Sequence, residues 1–520
     1  MPSDTILPKR PKKPISTGKF IRLSWKRMTQ SWGASVLIHV LVILLLGLVT
    51  LPLPVLPELS LQAVHILEEE LDTEELLTDV VLEVETEELA ETVDVIETEM
   101  ELLDDSFQAE ELATFEVMEE TVDFSADFGD VLATGDMEEM AVSGLQGRSG
   151  AIKAKLLRSG GGTKSSEKAV QSSLNWIARH QWPDGSWNFV HTEGECAGRC
   201  NNPGSAAWSS QARAAATGLA LLTYLGAGHT PLDGEYRQVV GGGINALVGM
   251  ANSDENGVSF KEPGGNMYSH GIATMAICET YALTGDPQIG KLAQQAINYI
   301  CYAQHPEGGG WRYEPQQRGD TSVVGWQIGA LKSGYLSRLR VPPLVIDKAS
   351  YFLDTVTINA GREYVYTVDL EEGATPHPSQ ATTAIGLLCR MYLGVQRDDP
   401  GLTTGINHLL EMGPSIAGNA YYNYYATQAM FHHTDGKGPM WKRWNETMRK
   451  HLVREQIQEG HATGSWDPPT PTAEQPDAYH SSPGGRLYQT ALNTMILEVY
   501  YRMMPLYRTD AVNRKFNGEK

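Results

Sequence analysis

The sequence predicts an all-α protein: an α/α toroid of six helix pairs, preceded by a single transmembrane helix and a disordered acidic arm. Three observations predict it. A helix–turn–Gly–Trp motif recurs along the C-terminal two thirds of the chain. Strongly apolar helical segments alternate there with amphipathic ones at a period of about fifty to sixty residues, which signals a helical-repeat architecture. Upstream, one long apolar run lies between a basic tail and an acidic stretch.

Residues 1–30 are basic, with Lys9, Arg10, Lys12, Lys13, Lys19, Arg22, Lys26 and Arg27. The run WGASVLIHVLVILLLGLVTLPLPVL (Trp32 to Leu56) follows within residues 31–56. About twenty mostly apolar residues suffice to cross a bilayer. The basic flank predicts a cytoplasmic N-terminus and a C-terminal domain on the periplasmic, non-cytoplasmic side of the inner membrane. The long apolar run has no small-residue cleavage site after it, so an uncleaved anchor is expected rather than a signal peptide. Ser35 and His39 interrupt its apolar character. An ionisable residue inside a span is costly and marks a functional hypothesis. The S-x-x-x-H spacing resembles the transmembrane helix of TonB-type energy transducers, which would imply proton-channel motor partners. A polar pair that only packs helices is the plainer reading.

Residues 57–140 form the acidic tether. From Leu51 to Gly147 there is no Lys or Arg, against about thirty Asp and Glu, which accounts for most of the net charge of −23. So much like charge precludes a packed core. Residues 141–166 read as a Gly/Ser/Lys linker, 167–507 as the toroid and 508–520 as a polar tail. The C-terminal part has no basic stripe with interleaved aromatics, so no nucleic-acid partner is expected.

Within the toroid, HQWPDGSW at His180 to Trp187 ends a helix read from Lys168 to Arg179. The pattern returns in INYICYAQHPEGGGW (Ile297 to Trp311) and LVREQIQEGHATGSW (Leu452 to Trp466), with a weaker copy from Ile244 to Phe260. Each full copy has Gln at the helix end, a Gly-bearing turn and then Trp: Gln181 and Trp187, Gln304 and Trp311, Gln456 and Trp466. A Gln there can bond the orphan carbonyls of the last turn, and the pairs are read as structural clamps. Six apolar helices lie between the outer ones: Ser209 to Leu225, Ser269 to Leu283, Thr321 to Leu336, Gln380 to Leu393, Tyr421 to Phe431 and Arg486 to Met503. Helices apolar all round are buried, and those with a polar face lie outside, so two concentric rings are expected.

These Gln–Gly–Trp repeats on an α/α framework resemble the prenyltransferase and squalene-oxidase repeats of squalene–hopene cyclases and protein prenyltransferases. GDTSVVGWQIGALKSG, YYNYYATQAM and GGRLYQTALNTMILEVYYR resemble membrane-anchored, squalene-cyclase-like members of planctomycete-type bacteria. The resemblance implies a terpenoid-cyclase-like fold with an apolar central cavity for a lipid or isoprenoid ligand. Such cyclases protonate an alkene with a D-x-D-D-T motif; here only Asp320 of GDTSVVGWQ stands in a similar setting. Asp before Thr-Ser at the start of an apolar helix is an ordinary N-cap, so Asp320 is at most a weak catalytic candidate. Candidate cavity-lining residues are His270, Trp326, Gln327, Tyr422, Tyr425, His480 and Tyr488. The Asp, Cys and His zinc ligands of protein prenyltransferases have no counterpart at matching spacing.

Cys278, Cys301 and Cys389 sit in apolar helical contexts and read as small buried hydrophobes. Cys196 and Cys200 (CAGRC) lie in a loop where a disulfide is plausible in an oxidising compartment. A closed zinc site needs four ligands; only His191 lies near in sequence, so neither a metal nor another cofactor is expected. The alternative to a lipid- or isoprenoid-directed toroid is a non-catalytic interaction scaffold coupled to a motor through Ser35 and His39. The topology predicts that a C-terminal alkaline phosphatase fusion is active in cells; activity only from a C-terminal cytoplasmic reporter would reverse the orientation.

Overall fold

In the computed structural model the described residues are 148, 150–262, 265–368, 375–470 and 482–503. The expected span with Ser35 and His39, the acidic arm and His480 lie outside them. Among the described residues no helix is long and apolar enough to cross a membrane.

The elements are α1 (Gly150–Ser159), α2 (Lys164–Ala178), α3 (Arg213–Ala227), α4 (Arg237–Gly249), a hairpin β1 (Asn252–Asp254) and β2 (Gly257–Ser259), α5 (Met267–Thr284), α6 (Pro287–Ala303), α7 (Thr321–Leu336) and α8 (Pro343–Val356). A second hairpin, β3 (Thr357–Ile358) and β4 (Glu363–Tyr364), is followed by α9 (Gln380–Tyr392), α10 (Pro400–Met412), α11 (Ala420–Thr434), α12 (Gly438–Glu455), α13 (Gly485–Leu497) and α14 (Val499–Arg502). Helices α3, α5, α7, α9, α11 and α13 form the inner ring, each packed on the next, and α13 packs back on α3 to close it. The even-numbered helices α2 to α12 form the outer ring. This is an α/α toroid of six helix pairs.

Composition sorts the two rings. α3 buries every residue from Ala214 to Ala227, whereas outer α12 buries only Trp441, Trp444, Asn445, Met448 and Leu452. That single apolar stripe is the signature of a helix with one face to solvent. Side-chain caps start most inner helices: Asn266 on α5, Asp320 on α7, Ser379 on α9 and Asn419 on α11. Each satisfies one of the amide donors left free by a helix start.

The clamps share one geometry. The Nε2 of Gln181 donates to Gly185 O and Val239 O, both at 2.8 Å. Gln304 donates to Gly309 O at 2.8 Å and Val345 O at 2.9 Å. Gln456 donates to Gly464 O at 2.9 Å and Ala169 O at 2.7 Å. Each Gln thus holds its own turn and the next outer helix, not the end of its own helix. The Trp does that instead: Nε1 of Trp187, Trp311 and Trp466 donates at 2.8 Å to Ile177 O, Ile300 O and Leu452 O. Gly185, Gly309 and Gly464 all have positive φ. A Cβ on any of them would overlap the backbone carbonyl of Gly242, Lys348 or Ser172, three residues beyond the Gln acceptor. Gly is required there both by conformation and by contact. The weaker copy replaces the clamp with the β1–β2 hairpin. There Gly257, again at positive φ, sits against Gln295 O of α6, and Phe260 is buried.

Besides shifts of a few residues at helix ends, such as Arg213–Ala227 for the expected Ser209 to Leu225, two segments differ in kind from the sequence reading. The expected linker, 141–166, contains α1, whose Leu156 and Leu157 pack on the core. Its Gly/Ser/Lys composition hides the short apolar face. The expected Arg486 to Met503 helix is two helices, parted at Glu498. Arg148, ahead of α1, is also buried: it donates to Leu225 O at 3.1 Å and to Glu279 at 2.7 Å. Arg502 holds the other Glu279 oxygen at 2.9 Å and also bonds Leu222 O. The two guanidiniums supply donors to carbonyls of the last turns of α3, where positive charge also complements the negative end of the helix dipole.

Trp187→Ala and Trp466→Ala should each destabilise the toroid by about 3–5 kcal/mol, as buried aromatic truncations do. Gln456→Ala, which removes two hydrogen bonds, should cost about 1–3 kcal/mol. Chemical denaturation measures both; near-zero losses at all three positions would show that the clamps do not hold the ring.

Candidate active or binding cavity

A cavity of about 500 Å³ opens at the N-terminal end of the inner helices. The first two turns of α3, α5, α7, α11 and α13 contribute Ala215, Ser269, Ser322, Trp326, Tyr421 and Tyr488, and preceding loops add Phe189, Trp208, Asn266 and Tyr313. Seven of its nineteen lining residues are aromatic, and none bears an ionisable acid, amine, thiol or imidazole. Trp208 and Tyr313 remain partly exposed at the mouth.

Three hydroxyls meet in the wall. Tyr268 OH donates to Ser322 Oγ at 2.5 Å, and Ser322 Oγ lies 2.7 Å from Tyr421 OH. Burial holds both phenols far above their ordinary pKa, so they stay protonated donors. The caps explain why they converge. Tyr268, Ser322 and Tyr421 each stand two residues after the cap of their helix (Asn266, Asp320, Asn419), at one register position of the repeat. Below them an aromatic stack supports the wall. Trp326 lies face to face with Tyr424 at 5.7 Å and edge-on to Tyr425 at 5.8 Å.

Of the candidates read from sequence, Trp326 and Tyr488 are in the cavity wall. The other described ones are elsewhere. His270 Nδ1 accepts from Phe260 N at 3.2 Å; burial pushes its pKa down to about 3, so it is a neutral acceptor for the β1–β2 hairpin. Gln327 donates to Met267 O at 2.8 Å, between α7 and α5. Tyr422 points to the outer ring, with OH on Gly413 O at 2.9 Å and its ring edge-on to Trp444. Tyr425 lies a turn below Tyr421, under Trp326. A helix places successive residues about 100° apart, so Tyr421 reaches the cavity and Tyr422 cannot. Sequence reasoning missed Tyr268, Ser322 and the loop aromatics. The cap-plus-two register was the available signal for the first two.

Asp320 is fully buried and is not part of the cavity wall. Its Oδ1 accepts from Val323 N at 2.9 Å, and Oδ2 lies 3.8 Å from Arg312 Nε. Burial pushes its pKa up to about 6, against the pull of the Val323 amide and the Arg312 guanidinium.

Cys196 and Cys200, expected as a candidate disulfide, are free thiols. They meet His180 and His461 in a compact group outside the cavity. His191, the one ligand-type residue near them in sequence, is not part of it. Its ring packs edge-on against Trp176 and His180.

No protein-family model and no curated protein matches the chain. Among solved structures, it is similar to an α-1,6-mannanase of Salegentibacter, with 11% identity over 64% of this chain and 98% of that one at a TM-score of 0.44. It is similar to a family 76 glycoside hydrolase (mannosidase) from Bacteroides thetaiotaomicron, with 11% identity over 67% and 100% at 0.45. A type II terpene cyclase from Scytonema gives 12% over 66% and 98% at 0.43. Likeness of this degree carries no inference about activity. The closed double ring described above stands on its own packing.

Asp320→Asn should separate capping from charge. A carboxyl whose folded pKa lies above its unfolded value loses stability as pH rises from about 4 through 6, here by about 2–3 kcal/mol. Asn caps nearly as well as Asp. The variant should match the natural chain near pH 4 and exceed it in stability at pH 7. Denaturation at both pH values measures this; a variant less stable at pH 7 would reverse the assignment.

Proposed function

We propose that the toroid binds an uncharged, largely apolar ligand bearing a hydroxyl or carbonyl group, of lipid or isoprenoid class, in the cavity at its N-terminal end. The observation that carries this reading is the wall itself: aromatic faces, no charged side chain, and three hydroxyls meeting at Ser322. Small-molecule sites of this size are mostly apolar with a few convergent polar groups that fix orientation. Binding is favoured over chemistry because acid–base catalysis needs a titratable group within reach of the ligand, and Asp320 stands behind the wall with one oxygen committed to a cap. The resemblance of the Gln–Gly–Trp repeats to squalene-cyclase-like proteins supports the isoprenoid class. In the same reading, the apolar run at residues 31–56 anchors the toroid on the non-cytoplasmic side of the inner membrane. The acidic arm then serves as its tether.

The test is titration of the full chain in nanodiscs with geranylgeraniol and with squalene, followed by tryptophan emission. Trp326→Ala and Ser322→Ala should each weaken geranylgeraniol binding about tenfold, the upper range for one lost hydrogen bond or contact set. Squalene, which has no hydroxyl, should be indifferent to Ser322→Ala. Binding unaffected by either substitution in folded protein would place the ligand elsewhere and reject the proposal.

A further inference from the structure

The group formed by Cys196, Cys200, His180 and His461 joins parts of the chain that are remote in sequence. His180 immediately precedes Gln181 of the first clamp, and His461 belongs to the turn of the last clamp. The two cysteines sit in the loop that follows the first clamp. Cys200 Sγ lies 3.4 Å from His180 Nε2 and 3.2 Å from His461 Nδ1, while Cys196 Sγ lies 3.9 Å from the same His461 nitrogen. All four ligand-type atoms are within 4.8 Å of one another, and His180, Cys196 and Cys200 are buried.

Three features make this more than a chance cluster. First, three sulfur–nitrogen distances, 3.2–3.9 Å, bracket those around a tetrahedral ion. A tetrahedral zinc with bonds of about 2.3 Å to sulfur and 2.0–2.1 Å to nitrogen places neighbouring ligand atoms about 3.3–3.8 Å apart. Second, the imidazole orientation is set from outside the group. His180 Nδ1 lies 2.6 Å from Trp176 O. Donation to that carbonyl puts the proton on Nδ1 and leaves the Nε2 lone pair aimed at the cysteines, as carbonyl-backed metal-binding histidines are arranged. Third, Cys200 N donates to Cys196 Sγ at 3.2 Å. An amide donated to that sulfur fixes its orientation within the group, as outer hydrogen bonds do around metal ligands.

We propose that these residues form a closed, structural Cys2His2 site for a zinc-class divalent ion, which staples the seam where the last repeat of the toroid meets the first. Four protein ligands leave no open position for a substrate, so the ion's role is structural. Binding exchanges thiol protons for the metal: Cys196 and Cys200 each release one proton, and neither is oxidised. The position on the seam has a physical consequence. Cys200 and His461 are 261 residues apart in the chain, and a clip that closes a long loop removes the most chain entropy from the unfolded state. The ring has no covalent link between its two ends, and the site joins the same two repeats as the Gln456 to Ala169 hydrogen bond.

The experiment uses the full-length chain purified under reducing conditions without chelator. About one equivalent of zinc per chain is expected by elemental analysis, set by the four-ligand group. After exchange with cobalt, the natural chain should show thiolate-to-cobalt charge transfer in the near ultraviolet and the intense visible bands of tetrahedral coordination. Cys200→Ser should weaken metal binding at least about tenfold, Cys301→Ser should leave it unchanged, and a chelator should lower the Tm of the natural chain and of Cys301→Ser but not that of Cys200→Ser. The cobalt spectrum decides the matter even if a ligand variant fails to fold. A metal-free chain after zinc loading, a cobalt spectrum without thiolate charge transfer, or a Cys196–Cys200 disulfide in chain isolated from cells would each overturn the proposal.

Discussion

The hydrogen bond from Gln456 to Ala169 O is the contact on which the ring depends. Five of the six junctions between helix pairs are made by continuous chain, and the sixth by non-covalent contacts alone, which include main-chain hydrogen bonds from Ser205 N to Pro483 O and from Arg486 N to Asn202 O. Gln456 treats α2 as the next outer helix, just as Gln181 treats α4 and Gln304 treats α8. The same motif therefore serves as an internal connector twice and as the closing contact once. Around it, Gly464 rests on Ser172 and Thr494 Oγ1 donates to Ser173 Oγ at 2.7 Å, so that α13 is drawn onto α2 as well.

Closure fixes what the two ends of the toroid can be. At the N-terminal end of the inner helices, side-chain caps take up free amides on α5, α7, α9 and α11, and the space between first turns stays open, lined with aromatic rings and hydroxyls. At the other end, Arg148, Arg502 and Glu279 occupy the corresponding region among the last turns of α3 and α5. Burying these charges is tolerable because each guanidinium faces both a carboxylate and helix carbonyls; an unpaired charge there would be strongly destabilising. Burial also lifts the Glu498 carboxyl well above its ordinary range, despite Arg502 beside it. The one end is thus filled by ion pairs and the other left as a cavity for an uncharged ligand. The seam lies between the first and last clamps, where His180, Cys196, Cys200 and His461 add a third kind of interaction to the hydrogen bonds and apolar packing.

Local sequence determined the six helix pairs, because apolar periodicity, capping residues and clamp turns are set within windows of about fifteen residues. It also picked out Trp326 and Tyr488 as large aromatics near the starts of inner helices, but the same reading chose Gln327, Tyr422 and Tyr425, which helix rotation turns elsewhere. It misjudged residues 141–166, where Arg148, Leu156 and Leu157 find partners only on distant helices. Tertiary structure alone decided which tyrosine of Tyr421, Tyr422, Tyr424 and Tyr425 reaches the cavity, because helix rotation is fixed by neighbours such as Trp444 and Trp326 rather than by the helix itself. It alone brought Tyr268 and Tyr421 onto Ser322, from three different repeats. Most plainly, it replaced His191 with His180 and His461 beside the two cysteines. No sequence spacing reveals that set, because ring closure places residues from the first and last repeats side by side.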